Sequence, residues 1–288
     1  MRLFRKLKWL FGTYLMPRHV ATIKTKNGIL SFDSKDRTLG RALNIEKEFE
    51  SDMMKRTVKL LTENGDIKQA KNRMVMDVGG YIGMSSIGFL NFDLFDSALI
   101  FEPNPNSFSL IEKNIKQNNF SDQISAFNVA LSNENSKLLM ELSHKNFGDH
   151  RIRQEGSIKK GHYKEENRQV INVISVTLDK FIKENSQEDF SKISMVWMDI
   201  QGHEGKFLQG AYSFLSSQKI PVVMEFWPYG ILRSGTTKDE FLESLNKLFT
   251  HFYAVDNKFA ELQSISNVEK LFDECVKTAS GGYNLAFI

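Results

Sequence analysis

Two carboxylates and a glycine turn occur in the pattern with which a doubly wound sheet binds a nucleoside. Asp77 ends an apolar segment, and Gly79, Gly80 and Gly83 follow it before a helical pattern begins. Such glycines let the backbone approach a ligand closely and leave bare N–H groups at a helix start. Glu102 closes the next apolar segment, 19 residues after Gly83, where an acid can accept hydrogen bonds from both ribose hydroxyls. Asp77 would repel a pyrophosphate and attract a cationic, phosphate-free nucleoside such as S-adenosylmethionine, which favours a methyltransferase over a dehydrogenase.

A second cluster of polar residues, 199–204, follows a later apolar segment. Helix capping accounts for one or two of its side chains and leaves His203 without a role. Histidine takes up a proton near neutral pH, so His203 is the first candidate for a catalytic base, with Asp199 orienting it or acting in its place. A metal site of Asp199, His203 and Glu204 is a weaker alternative, because the spacing matches no strong zinc pattern. No metal is therefore predicted.

Further candidates for acceptor binding follow two other parts of the chain. Glu225 and Trp227 end another apolar segment, so that Glu225 adds a third acid to the same sheet edge as Asp77 and Asp199. Trp227 could pack against an acceptor ring or cap the core. With Glu204, these two residues form the first part of the predicted acceptor site.

The second part is a polar insertion over residues 143–170, in which 11 of 28 residues are charged. A long polar excursion from a compact domain is usually functional or disordered. We expect it to be a flexible loop that forms a lid or an acceptor-binding wall over the cofactor, and the alternative is a solvated insertion without a role. The groups in it best able to bind a polyhydroxylated acceptor are Asn146, Asp149, His150 and Arg151.

Apolar segments that alternate with helical patterns position these residues. The segments cover 74–80, 97–104, 123–132, 192–200, 219–228, 251–256 and 283–288. Their alternation predicts an α/β fold with one doubly wound, mostly parallel, Rossmann-like sheet, whose ligands bind beyond the carboxyl ends of the strands. A basic helix, a hairpin over 20–33 and a helix near 46–62 precede it. We expect an N-terminal extension over 1–65 and a main domain over 66–288.

Five motifs in a fixed order give the chain a family resemblance. They are D-V-G-G-Y-I-G (77–83), F-E-P-N-P (101–105), N-V-A-L-S (128–132), M-D-I-Q-G-H-E (198–204) and E-F-W-P (225–228). From Lys26 to Ile288 the chain resembles the FkbM family of S-adenosylmethionine-dependent methyltransferases. It departs from that family at Gln201, where an acid is common.

The resemblance implies a class I methyltransferase fold, with a seven-stranded sheet whose last strand, Tyr283–Ile288, is antiparallel. It also implies methylation of a hydroxyl on a sugar, glycan, glycolipid or polyketide-like acceptor. Within the family pattern, Asp77, Gly79, Gly80 and Gly83 surround the methionine end of the cofactor, and Glu102 binds the ribose. Asn104 is a further cofactor-binding candidate, and Asn128 and Ala130 border the adenine.

The composition is that of a globular protein, with 41% apolar and 25% charged residues. A single cysteine, Cys275, excludes an internal disulfide and fits a cytoplasmic location. The first 32 residues carry seven basic residues and no acid, so the overall net charge of +3 becomes −4 for the rest of the chain. This balance excludes nucleic acid as a partner of the body, and the expected partner is a small-molecule or glycan acceptor.

The basic head places apolar residues at helical spacing within residues 1–16. These residues are Leu3, Phe4, Leu7, Leu10, Phe11 and Tyr14, and the nearby basic residues fall largely on another face. Such a helix could lie on an anionic membrane surface, which would make residues 1–18 a peripheral membrane contact. The alternative is a helix that packs on the body and turns its charges to solvent.

Two other functions remain open at this stage. A nicotinamide-dependent oxidoreductase could use a similar sheet, and a non-catalytic module that binds glycans or membranes could retain the fold. The acids at Asp77, Glu102 and Asp199 favour the methyltransferase over both. The oligomeric state is not indicated by the sequence.

Overall fold

The computed structural model describes residues 2–67, 72–154, 161–257 and 260–288. Residue 1 of the basic head and residues 155–160 of the predicted insertion lie outside the described residues. The helices are α1 (Arg2–Leu10), α2 (Leu39–Ile45), α3 (Ser51–Glu63), α4 (Met84–Asn91), α5 (Pro105–Gln117), α6 (Leu178–Glu184), α7 (Glu204–Gly210), α8 (Tyr212–Gln218), α9 (Pro228–Arg233), α10 (Lys238–Leu248) and α11 (Val268–Cys275). A π-helical turn, Phe11–Leu15, continues α1.

The strands of the described residues form three sheets. In chain order they are β1 (Val20–Lys24), β2 (Ile29–Asp33), β3 (Met74–Val78), β4 (Ser97–Phe101), β5 (Ile124–Phe127), β6 (Ala130–Leu131), β7 (Lys137–Leu142), β8 (Arg151–Arg153), β9 (Gln169–Val176), β10 (Ile193–Met198), β11 (Val222–Phe226), β12 (His251–Ala254), β13 (Leu262–Ser264) and β14 (Tyr283–Phe287).

The central sheet has eight strands in the order β13-β12-β14-β11-β10-β3-β4-β5. The five strands from β11 to β5 pair in parallel, and β14 lies antiparallel between β11 and β12. From β3 the strand order proceeds outward in both directions, so the switch point of the doubly wound sheet lies between β3 and β10. The predicted fold class is confirmed, including the antiparallel last strand. The eighth strand, β13, is a three-residue addition at the edge.

Both faces of the sheet are covered by helices, because its inner strands carry apolar residues on both sides. In β3, Met74, Met76 and Val78 contribute to one apolar cluster, whereas Val75 contributes to the other. All five residues of the strand are buried. A continuous apolar run of this kind therefore identifies β3 as a central strand.

The segment between β5 and β10 differs from the prediction. Residues 143–170 were expected to form a polar loop, but β8 and the start of β9 lie in this range and pair with β7, which precedes it. With β6 these strands form a four-stranded sheet, hereafter the small sheet. The polar residues of the range are compatible with strands because they pair with one another inside the small sheet, as described below.

The predicted hairpin is confirmed as β1 and β2, and it is anchored to the main sheet by one buried side chain. The Asn114 Oδ1 atom, on α5, accepts the N–H of Ser31 at 2.7 Å. Its amide nitrogen donates to the carbonyl oxygens of Ser31 and Ile82 at 3.0 and 2.8 Å. Asn114 thus ties the hairpin, α5 and the glycine turn together. The helix predicted near 46–62 is present as α3, which is shorter because it begins only at Ser51, and a separate helix, α2, precedes it.

Candidate functional site

The turn between β3 and α4 requires glycine for a close backbone approach. Gly79 has a φ of +88°, and a Cβ atom on it would overlap the carbonyl oxygen of Asp199 at the end of β10. The N–H groups of Gly79 and Gly80 donate to the carbonyl of Phe101 at 2.9 and 3.1 Å. Both amides are therefore hydrogen-bonded to the end of β4 and are not the bare donors that the sequence suggested. The turn brings the ends of β3, β4 and β10 together.

Glu102, directly after β4, is held by two backbone amides. Its two carboxylate oxygens accept the N–H groups of Tyr81 at 2.9 Å and of Asn104 at 2.8 Å. Burial raises the pKa of Glu102 to about 8, against the effect of these two hydrogen bonds, and the charges of Asp77 and Asp199 add to the shift. Each carboxylate oxygen has a second lone pair, so Glu102 can still accept hydrogen bonds from a ligand.

A first cavity of about 540 Å³, hereafter the inner cavity, opens beside Glu102. Its walls are largely apolar, and among their residues are Val129, Ala130, Leu131, Met140, Phe147 and Ile152. Glu102 and Asp199 are its acidic residues, and Gly79 and Tyr81 contribute from the turn. A largely apolar space with hydrogen-bonding acids at its side suits a nucleoside.

His203 lies in the wall of the inner cavity. Its Nε2 atom is 2.9 Å from the hydroxyl of Ser132, and its Nδ1 atom is buried without a hydrogen-bond partner. Burial lowers the pKa of His203 to about 3, and the charge of Lys206 adds to this. Burial therefore makes His203 a weaker proton acceptor than an ordinary histidine.

A second cavity of about 1030 Å³, hereafter the outer cavity, adjoins the first. The two cavities share Gly79, Tyr81, Gly148 and Asp199 as wall residues. Among its other wall residues are Leu39, Glu50, Asp77, Gly80, Asn146, Gln201, Glu225 and Asn284. The two cavities therefore form one crevice over the carboxyl ends of the strands, with Asp199 at their junction.

Two of the carboxylates in the outer cavity, those of Asp199 and Glu225, are joined through one amide. The Nε2 atom of Gln201 donates to Asp199 at 2.6 Å and to Glu225 at 2.9 Å. Gln201 has a φ of +55°, a left-handed conformation that is uncommon for a residue other than glycine. Burial raises the pKa of Asp199, and burial and the charge of Asp199 raise the pKa of Glu225 well above its ordinary value. Burial and the same charge raise the pKa of Glu50 to about 8.

Asp77 is a buried wall residue of the outer cavity. Its carboxylate accepts the hydroxyl of Ser86, at the start of α4, at 2.7 Å. Burial raises the pKa of Asp77 to about 6, while the hydrogen bonds of Ser86 oppose the shift. Asp77 therefore binds the first turn of α4 and also adds to the acidity of the crevice.

A third cavity of about 680 Å³ continues the crevice toward the small sheet, and its walls include Asn146, Asp149, Arg151, Glu225 and Trp227. The Oδ1 atom of Asn146 is buried without a hydrogen-bond partner. The carboxylate of Asp149 is paired with two buried arginines, one of which is Arg151. The guanidinium of Arg151 lies 4.5 Å from the centroid of the Trp227 ring.

The predicted acceptor residues therefore divide into side chains that face the crevice and side chains that are already paired within the protein. Asn146 and Glu225 present groups to the crevice, whereas Asp149 and Arg151 are paired with each other. Trp227 donates its indole N–H to the carbonyl of Ala279 at 2.7 Å and is almost fully buried. His150 lies in the inner cavity, where its Nδ1 atom accepts the N–H of Ser143 and its ring stacks on Phe147. Burial lowers the pKa of His150 to about 4.

Four predicted site residues are not among the described residues that line these three cavities. Gly83 allows the left-handed turn that starts α4. Asn104 caps α5 by accepting the N–H of Asn106, and Asn128 donates to the carbonyl of Glu102. Glu204 is fully buried, with one oxygen accepting the N–H of Ile200. These side chains support the loops that carry the site.

Several residues of the crevice had no predicted role. Gln201 was noted only as a departure from the family, although its position between two strand-end acids was a signal for its contacts. Tyr81 and Phe147 stand inside noted motifs. Glu50 had no local signal, because it enters the crevice from the turn before α3.

Neither a metal-binding cluster nor a membrane-spanning helix is found in the part of the chain that the structure describes. Within those ranges no group of three or more His, Cys, Asp or Glu side chains could hold a metal ion. None of the helices there is long and apolar enough to cross a membrane.

Comparison with known proteins gives one family match. The model of the methyltransferase FkbM domain matches residues 77–265, which is more than half of the chain. The matched range includes Glu102, Gln201 and Glu225. A search of curated proteins found no significant relative.

Similar solved structures include an FkbM methyltransferase from Methylobacillus flagellatus KT, with 12% identity, a TM-score of 0.41, and coverage of 86% of this chain and 52% of that protein. The chain thus spans about half the length of that relative. The METTL16 methyltransferase domain has 10% identity, a TM-score of 0.46, and coverage of 100% and 91%. An O-methyltransferase from Bacillus cereus, in complex with SAH, has 9% identity, a TM-score of 0.36, and coverage of 81% and 79%.

Proposed function

Because the chain belongs to the FkbM family of methyltransferases, we propose that it transfers a methyl group from S-adenosylmethionine to a hydroxyl of a polyhydroxylated acceptor. The acceptor class is a sugar, a glycan or glycolipid, or a polyketide-like molecule. The observation that carries the proposal is the pair of joined cavities that meet at Asp199. One cavity suits a nucleoside, and the other is polar and acidic.

The residues of the inner cavity fit the cofactor. Glu102 would accept the ribose hydroxyls, and the apolar wall around Ala130 would contact the adenine. Asp77 and Asp199 would favour the positive charge of the sulfonium. When bound, the cofactor supplies an electrophilic methyl group on that sulfonium.

The chain's own residues would then position the acceptor and take its proton. Burial raises the pKa values of both Asp199 and Glu225, and the charge of Asp199 adds to the shift of Glu225. In the proposed mechanism the pair therefore holds one proton, and Glu225 carries it. The Asp199 carboxylate, kept in place by Gln201, accepts the proton of the acceptor hydroxyl as its oxygen attacks the methyl carbon. Holding the reacting groups in line supplies much of the rate acceleration.

The acid content of the crevice also bears on the rival functions. A dinucleotide would bring a pyrophosphate near Asp77, Asp199 and Glu225, and the repulsion would weaken its binding. This charge distribution favours the methyltransferase over a nicotinamide-dependent oxidoreductase. A non-catalytic module would not need a carboxylate at the junction of two cavities.

Titration calorimetry with S-adenosylhomocysteine and with NAD tests the cofactor. We expect S-adenosylhomocysteine to bind and NAD to give no heat of binding; the reverse result would establish the oxidoreductase. Transfer of a radiolabelled methyl group to a panel of monosaccharides, glycolipids and polyols tests the activity. Cofactor binding without transfer to any member of the panel would support the non-catalytic module.

A further inference from the structure

Helix α1 and the π-helical turn after it turn large apolar side chains to solvent. Leu3, Phe4, Leu7, Phe11 and Leu15 are all more than half exposed, with values of 71, 73, 56, 56 and 75%. Elsewhere in the described residues, exposed large apolar side chains are scattered singly or in pairs, which is normal for a protein surface. A contiguous exposed apolar face is a signal of an interaction surface.

The body holds this segment by its other face. Trp9 and Thr13 are the buried residues of the segment, and the Lys35 ammonium donates to the carbonyl oxygens of Thr13 and Met16. Arg2 pairs with Glu46 at 2.6 Å. The helix is thus attached to the body, but through its polar side and one tryptophan. The expectation of a helix that buries its apolar face on the body does not hold, because that face points outward.

The charges of the segment match an anionic surface. At about 100° per residue, Lys6 and Lys8 fall on the two sides of the arc formed by Leu3, Leu7 and Phe4. Both lysines are exposed, and neither forms an ion pair with any described residue. A helix with this arrangement can sink its apolar face below lipid headgroups while the lysines reach the phosphates. A second copy of the chain would present the same positive charges, and the repulsion disfavours self-association through this face.

We propose that residues 2–16 form a docking surface for an anionic lipid bilayer. The segment is connected to the wall of the crevice. Asp36, next to Lys35, accepts the hydroxyl of Tyr81 at 2.7 Å, and Leu39 lines the outer cavity. The guanidinium of Arg18 lies 5.5 Å from the centroid of the Phe147 ring, which lines the inner cavity. These contacts link the docking segment to the walls of both cavities.

Co-sedimentation of the full-length protein with vesicles tests the docking without any cofactor or turnover. We expect the protein to bind vesicles of phosphatidylcholine mixed with phosphatidylglycerol, and to bind pure phosphatidylcholine vesicles less and mixed vesicles less at high salt. The double variant Leu3→Glu/Leu7→Glu should lower the partition coefficient at least about tenfold. The double variant Lys6→Glu/Lys8→Glu should remove the preference for the anionic vesicles.

Leu262→Glu is the matched control, because Leu262 is 51% exposed on the edge strand β13, outside the head. Its vesicle binding should equal that of the wild type. The wild-type measurement needs no variant, so recovery of the wild type in the supernatant with mixed vesicles would overturn the proposal. Equal losses of vesicle binding in Leu3→Glu/Leu7→Glu and in Leu262→Glu would also overturn it. Sedimentation velocity tests whether the face binds a second copy of the chain instead. If the wild type self-associates but does not bind vesicles, and Leu3→Glu/Leu7→Glu abolishes the self-association, the face belongs to a second copy.

Discussion

The small sheet and the outer cavity both contain buried carboxylates, and they neutralise them in different ways. In the small sheet, every acid of the cluster has an arginine partner. Arg168 contacts Asp149 at 2.6 Å, Arg153 contacts Glu141 at 2.9 Å, and Arg151 contacts Glu165 at 3.1 Å. Although burial opposes it, hydrogen bonds from Tyr229 and the backbone, together with the charge of Arg151, lower the pKa of Glu165.

The outer cavity has no such counter-ions. Among the described residues no lysine, arginine or histidine forms an ion pair with Glu50, Asp199 or Glu225. Asp199 and Glu225 share only the neutral amide of Gln201. Their pKa values are raised accordingly. A carboxylate with an internal cation is closed to ligands, whereas one that lacks it, in a cavity, remains available to a proton or a cation from outside. Four variants test this difference.

The largest expected effect is on catalysis. Asp199→Asn should lower kcat by about 10²–10⁴-fold, because the proton acceptor is lost. The free energy of unfolding should remain unchanged or rise, because the variant removes an uncompensated buried charge. Single-turnover methyl transfer and urea unfolding measure the two quantities. Glu225→Gln is the control. In the proposed mechanism Glu225 already carries the proton, so its replacement by a neutral amide should lower kcat less than Asp199→Asn does. Equal losses of kcat would show that the pair acts as a unit.

The second largest effect is on stability, in the small sheet. Arg151→Met should lower the free energy of unfolding by about 3–5 kcal/mol, because Asp149 and Glu165 lose a buried cation. The midpoint of urea denaturation measures this. Lys59→Met, which breaks an exposed pair with Glu63, should change it by no more than about 0.5 kcal/mol. A similar small change for Arg151→Met would mean that the network adds nothing to stability.

A third variant concerns an unpaired carboxylate outside the crevice. Burial raises the pKa of Glu204 to about 7, so its contribution to stability is present below the unfolded pKa near 4.5 and is lost as the pH rises through 7. Glu204→Gln removes this dependence. Relative to the wild type, the variant should gain about 1–3 kcal/mol between pH 5 and pH 8. A difference that stays constant across this range would contradict the raised pKa.

The smallest of the four effects concerns the cofactor. Glu102→Ala should weaken the binding of S-adenosylhomocysteine by about 0.5–1.5 kcal/mol, the range for a hydrogen bond to an uncharged group, because a carboxyl with a pKa of about 8 is mostly protonated at neutral pH. Calorimetry measures this, with circular dichroism to confirm folding. Asn128→Ala is the control, because its side chain contacts the same loop but does not line the cavity. Unchanged affinity in Glu102→Ala would remove Glu102 from the site.

Much of the fold could be predicted because it depends on local periodicity. The apolar run at 74–80 became β3, and the antiparallel last strand is present as β14. The strands of the small sheet could not be predicted in this way, because their polar faces look like a loop until the pairing of Arg168 with Asp149 is known.

The chain order of strands and helices, and the acids at the ends of the strands, were determined by the sequence alone. Parallel strands bring their carboxyl ends to one edge, so Asp77, Glu102 and Asp199 had to approach one another. Only the tertiary structure decided which acids have counter-ions, that Glu50 joins the crevice, and that the apolar face of α1 points outward. These properties depend on neighbours from distant parts of the chain, since the burial and electrostatic environment of a side chain are set by what packs around it.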